Sequence, residues 1–295
     1  MNKSKKPTHA DVTRFIATLL PPKFPDVSRL YHVPVTPGYD AEKAVVDQIL
    51  LSVAPTPGVY AALSYTRDET NVDARGVPYR RLPRTLCFLH RPFTLERRHV
   101  RRGTLVLSSH TAFDEILTVG WNTPLAERLG MDVAGSVCVQ GYKGNAERKI
   151  GIVGEVAVLR DVLLSRIKEE FGHTEVAHHG SSDGIKAVAI MNAFHEDVVH
   201  RVLDEALQHG LVVADGPAPG RHVLYLTGQP RVRGLEAAKA LGMTVACVGH
   251  RQAEDWGIRY MAGKLRSAFP GTRIDEVYEE EEPRVQSPQE STIVG

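Results

Sequence analysis

The chain has 295 residues, with 36 Lys and Arg against 35 Asp and Glu, and is 42% hydrophobic and 24% charged. That balance excludes a disordered or fibrous protein and is sufficient for a large core. A formal net charge of +1 supplies no overall attraction to nucleic acid or an anionic membrane.

Cys87, Cys138 and Cys247 are widely spaced and form no CxxC pair, so they read as small buried hydrophobes rather than a disulfide framework or zinc knuckle. The start MNKSKKPTHADVT has no apolar signal core behind it, and no run reaches bilayer length. A soluble, cytoplasmic protein without membrane contact is expected.

In chain order, residues 1–7 read as a flexible basic tail. Thr8 with Asp11 forms a capping-box signature that opens an amphipathic helix through Phe15, Ile16 and Leu19, ending at Pro21-Pro22. A second helix is expected over 41–53. Short apolar runs then read as strands: VYAALSY, TLCFLH, TLVLSS, SVCVQ and IGIVGEVA, with 66–84 as a loop excursion. From 157 the pattern alternates: helix 160–171, strands TEVAHH and IKAVAIM, helix 195–209, strand HVLYLTG, helix 233–241, strand MTVACVG and helix 254–268. Alternation of this kind predicts an α/β layered fold over 8–270. A lobe boundary is placed near 145–150, with an inserted unit over 120–180 as the alternative, and 271–295 reads as an acidic flexible tail.

Ligand sites in open α/β sheets lie beyond the carboxyl ends of strands. Three strands hand off directly to metal-capable side chains: TLCFL to His90-Arg91-Pro92, TLVLSS to His110 and Asp114, and MTVACVG to His250 and Glu254. On a helix, His250 and Glu254 at i and i+4 lie only about 40° apart and can clamp one ion.

Other motifs carry less. His195-Glu196 with His200 imitates HExxH, but the second histidine is at i+5, rotated by about 140°. Gly180-Ser181-Ser182-Asp183-Gly184 matches GxSxG without a strand-to-helix elbow, and reads as a hairpin or hinge. His178 and His179 point to opposite faces of a strand and remain only a reserve source of ligands. The run LERRHVRRG, with Arg97, Arg98, Arg101 and Arg102, reads as a solvated loop or subunit contact, with single-strand binding as an alternative.

LHRPF at 89–93, SSHTAFDE at 108–115, IGIVGEV at 150–156 and VLYLTG with EAAKALGMTVACVGHRQAED at 236–255 resemble the motif series of the Nif-three-like family. Its members are dinuclear metal-centre proteins often labelled GTP cyclohydrolase 1 type 2 homologues. The resemblance spans about residue 85 to 268 and includes the opening helix; residues 23–84 match poorly. It implies two similar, intertwined α/β domains with mixed sheets, a metal site at strand carboxyl ends between them, and a toroidal homohexamer built from trimers. It places the metal ligands on His90, Asp114, His250 and Glu254, with His110 orienting a carboxylate or touching substrate.

The chain departs from the family's His-His-Pro turn at Arg91, which has no lone pair to offer a metal. Three outcomes stay open: two ions with water filling the gap, one ion on the remaining ligands, or no ion, with Arg91 paired to Asp114 or Glu254. Zinc, iron, manganese and nickel all suit this donor set. The expected function is metal-dependent hydrolysis of a phosphorylated or nucleotide-like small molecule, with Arg91 steadying an anionic group; a non-enzymatic metal-binding hexameric scaffold or regulator is the alternative.

Overall fold

The computed structural model describes residues 6–64, 83–214 and 216–281. The Thr8 capping box forms as expected: its side chain accepts from the Asp11 N–H, and Asp11 answers the Thr8 backbone N–H. The helix it opens is α1 (His9–Leu19), and β1 (Leu30–His32) follows.

Two expectations in the next stretch fail. The predicted helix over 41–53 is instead β2 (Gln48–Ser52), buried throughout. An interior strand covered on both faces has the same continuous apolar pattern as a buried helix, so periodicity does not separate the two. VYAALSY, read as a strand, forms most of α2 (Pro57–Leu63). Thr56 at the cap and Pro57 at the first helical position are its start signal, because proline presets the backbone and lacks an N–H that would be unpaired there anyway. The expected loop over 66–84 lies almost wholly outside the described residues.

The remaining elements mostly follow the predicted order, but the helices at 111–116 and 123–129 and the strand at 273–277 were not expected. They are β3 (Thr85–Leu89), β4 (Leu105–Ser108), α3 (Thr111–Ile116), α4 (Thr123–Leu129), β5 (Val137–Tyr142), β6 (Asn145–Leu159), α5 (Arg160–Phe171), β7 (Glu175–His178) and β8 (Gly184–Met191). Then come α6 (Glu196–Gln208), β9 (Val223–Thr227), α7 (Val232–Ala240), β10 (Thr244–Cys247), α8 (His250–Ala268) and β11 (Arg273–Val277).

They assemble into two mixed sheets, an α/β fold. One has the order β1-β4-β3-β2-β11, with β1 antiparallel on its edge; the other has the order β5-β6-β8-β9-β10-β7, parallel only at β8-β9-β10. The chain leaves the first sheet after β4, completes the second, and returns through α8 to lay β11 parallel to β2. Residues 273–277, inside the stretch read as an acidic tail, are thus a sheet edge. The region 145–150, where a lobe boundary was expected, is the start of β6 and already inside the second sheet. GSSDG is not a hairpin, since β7 and β8 are not neighbours.

Helix α8 joins the halves. Ala253 and Trp256 pack into the core of the second sheet, whereas Ile258, Met261, Ala262 and Leu265 pack into that of the first. Gly257 lets α8 approach α3: a Cβ there would stand 2.5 Å from the Leu117 carbonyl oxygen. Of the cysteines, Cys87 and Cys247 are buried and Cys138 half-buried; burial pushes all three thiols up, so they stay neutral. Among the described residues, no helix is long and apolar enough to cross a membrane.

Candidate metal centre

The segments that follow three strand ends, two in the first sheet and one in the second, come together at the site. His90 follows β3, Asp114 lies in α3 just after β4, and His250 and Glu254 occupy the first turns of α8 after β10. The sequence expectation for α8 began at 254; the helix starts at His250, which puts that histidine and Glu254 on one face.

The four side chains converge. His90 Nε2 is 3.3 Å from Asp114 Oδ1 and 3.3 Å from Glu254 Oε1, and His250 Nε2 is 3.3 Å from the same Glu254 oxygen. His90 is fully buried, with its ring stacked on Phe113 at 4.3 Å between centroids. Its Nδ1 lies 3.1 Å from the Ser109 carbonyl. A carbonyl only accepts, so Nδ1 carries the proton and Nε2 is the atom presented to the carboxylates. Among the described residues, His90 Nε2 and Glu254 Oε1 are buried without a hydrogen-bond partner. The two face each other at 3.3 Å, within ion-pair distance.

The electrostatics are set by charge pairing against burial. Burial opposes the charged form of His90, but the Asp114 and Glu254 carboxylates outweigh it and raise the imidazole to about 9. For Glu254, burial alone would raise the carboxyl; the contacts to His250 and His90 reverse this and hold it well below the usual carboxylate range. Glu254 likewise raises His250. In His110, burial lowers the imidazole more than Asp114 raises it.

Arg91, which replaces a histidine of the motif, extends to the far side of Glu254. Its Nη2 is 3.1 Å from Glu254 Oε2 and 3.2 Å from Glu281 Oε1. The guanidinium is therefore shared by two carboxylates. His110 lies at the rim, with Nε2 3.9 Å from Asp114 Oδ2. His90, His110 and Asp114 together form a cluster whose nitrogen and oxygen atoms could hold a metal ion, with ligand atoms within 4.8 Å of one another.

Sequence reasoning missed Asp26, in the stretch that matched no motif. Asp26 Oδ1 accepts from the N–H groups of His110 and Thr111, both at 2.9 Å, and Oδ2 accepts from the Ala112 N–H and the Ser109 hydroxyl. It holds the turn that aims both Asp114 and the Ser109 carbonyl. Burial acts to raise this carboxyl, yet the backbone donors bring it below its ordinary value. No spacing connects residue 26 to residue 110, so nothing local marked it.

The motifs set aside lie elsewhere. His195 caps α6 and packs its ring on Tyr142, while His178 ends the edge strand β7. In the basic run, Arg101 is buried against the Pro83 carbonyl and Thr85, Arg98 pairs with Glu96, and Arg97 covers the Tyr31 ring. That run is bound into the protein's own structure.

No family model matches the sequence, and no curated protein matches it either. Solved structures do. Reduced HcgD from Methanocaldococcus jannaschii superposes with a TM-score of 0.60 at 16% identity, covering 93% of this chain and 99% of that one. TTHA1606 from Thermus thermophilus gives 0.56 at 18% identity, covering 94% and 99%. A Bacillus cereus protein related to NIF3 gives 0.54 at 12% identity, covering 96% and 100%. The resemblance to Nif-three-like proteins read from the motifs therefore extends to the fold along nearly the whole chain.

Proposed function

We propose that this chain is a Nif-three-like protein that binds one divalent cation through His90, Asp114, His250 and Glu254 and acts as a metal-dependent hydrolase. The reading rests on one observation: His90 Nε2, Asp114 Oδ1, Glu254 Oε1 and His250 Nε2 are linked by successive 3.3 Å contacts, with His90 and Glu254 buried. A tetrahedral ion with bonds of roughly 2.0–2.2 Å has ligand atoms about 3.3–3.6 Å apart, and the three separations of 3.3 Å that link these residues lie in that range. The Ser109 carbonyl fixes the His90 tautomer in the way metal-ligating histidines are commonly fixed.

One ion is favoured over two because Arg91 occupies Glu254 Oε2 and leaves only Oε1 turned inward. Nitrogen and carboxylate donors suit zinc, iron, manganese or nickel. A bound ion of this kind supplies a water of lowered pKa, hence a nucleophile near neutral pH. Glu254 serves as a ligand, because its Oε1 stands 3.3 Å from both His90 Nε2 and His250 Nε2.

Elemental analysis of the full chain beside a His250→Ala, Glu254→Ala double variant tests this. About one ion per chain in the wild type and none in the variant is expected; no stoichiometric metal after reconstitution overturns it. The second reading, a metal-binding scaffold without turnover, is favoured by Arg91, whose two carboxylate partners close one side of the site. Phosphoester hydrolysis by the loaded protein, lost in Glu254→Gln, separates the two. The homohexamer implied by the resemblance is tested by the native mass.

A further inference from the structure

A cavity of about 330 Å³ opens beside the centre, with Asp114, His250 and Glu254 in its wall. Three cations from two other elements line it: Lys143 and Arg148 from the β5–β6 hairpin, and Arg231 at the start of α7. We propose that this cavity binds a small phosphomonoester, its phosphate held by Lys143, Arg148 and Arg231. The proposal rests on the metal reading only for what the rest of the ligand meets.

The cations are poorly matched by the protein itself. Arg148 comes no nearer a carboxylate than 4.0 Å from Asp114, and its buried Nε has no partner among the described residues. Arg148 and Lys143 both lean on the Tyr142 ring, at 5.4 and 5.1 Å from its centroid. That ring already faces His195 on its other contact, so it props the cations rather than offering a stacking platform. Among the described residues, no ion pair joins Lys143 or Arg231 to an acid. Asn192 and Gln229 add neutral donors to the same wall.

The hairpin backbone points the same way. Lys143 has φ of +50° and Gly144 has φ of +79°, so the two-residue turn requires left-handed backbone at both positions. Asn or Gly suits the first of these and a long side chain does not. The turn gains nothing from a lysine at this left-handed position, which leaves its side chain at the cavity wall as the reason for it. Guanidinium and ammonium groups converging from separate elements fit the several oxygens of a phosphate. The volume lies at the small end for ligand pockets, which limits the organic part to about the size of a sugar or nucleoside.

The test is calorimetric titration of the full chain with ribose 5-phosphate, with inorganic phosphate and ribose as comparisons, in metal-loaded and chelator-treated protein. Lys143→Gly removes one cation while giving the turn the residue it prefers, so the variant folds. We expect binding of ribose 5-phosphate but not ribose, weakened about tenfold in Lys143→Gly and about a hundredfold in Lys143→Gly, Arg231→Gln. Persistence of this pattern without metal supports the inference even where the metal reading fails. Stoichiometric metal with no ribose 5-phosphate binding, or with binding indifferent to both variants, overturns the inference and leaves the metal reading standing. Phosphate bound only with metal and unaffected by the variants overturns it as well.

Discussion

Arg91 holds Oε2 of Glu254 at 3.1 Å, and by doing so turns Oε1 toward His90. Where the resemblance places a second histidine, this chain has a cation that pairs with the neighbouring carboxylate. On the one-ion reading proposed above, that cation is what limits the site to a single ion.

Arg91→His should therefore raise the metal content from about one ion per chain toward two, measured by elemental analysis after reconstitution. An unchanged ratio would show that Arg91 is not what limits the site.

Asp26 should matter to a centre it does not touch. Asp26→Ala leaves the first N–H groups of α3 without their acceptor, at a cost of about 1–2 kcal/mol by chemical denaturation. By releasing the Asp114 turn it should also weaken metal binding by about 10-fold or more. Loss of stability with unaltered metal affinity would confine Asp26 to a structural role.

Asp114 lies on α3 and Glu254 on α8, and Gly257 is a point at which the two helices touch. In Gly257→Ala the new Cβ would lie 2.5 Å from the Leu117 carbonyl oxygen and 2.6 Å from Phe113 Cζ, both too close to keep. A loss of about 1–3 kcal/mol is expected, with a parallel fall in metal affinity as the helices part. Wild-type stability in this variant would mean that α8 shifts without cost.

His9 gives the protein an acid sensitivity outside the site. It is buried, with Tyr39 Oη 2.9 Å from Nδ1 and Nε2 unpartnered among the described residues. Burial, helped by the Arg84 charge, lowers it from 6.5 to about 4. Between those values the unfolded chain binds the proton and the folded chain does not, so stability rises with pH. The contribution is complete above about pH 6.5 and is lost as the pH falls toward 4, roughly 3 kcal/mol in all. Urea denaturation at pH 7.5 and 4.5 should show a smaller drop for His9→Gln than for the wild type; equal drops would rule out His9 as the source.

Much of this protein was determined locally. Thr8 and Asp11 fixed the first helix because a capping box needs only four consecutive residues, and the regular alternation after residue 157 announced its strands and helices. That His90, Asp114, His250 and Glu254 come together was readable because each follows a strand end, where backbone direction carries a side chain toward the carboxyl edge of the sheet.

What local pattern did not decide depended on partners distant in the chain. Gln48–Ser52 is a strand because β3 and β11 flank it on either side, and its continuous apolar run gave no period to distinguish that from a helix. Only the folded chain brings residue 26 to residue 110, and Arg91 to Glu254 across 163 positions. Tertiary structure also decided that Glu254 offers one oxygen inward, because that orientation is set by a charge on another sheet. Residue types and strand ends specify which groups can reach a site; which of their atoms remain free there depends on long-range packing.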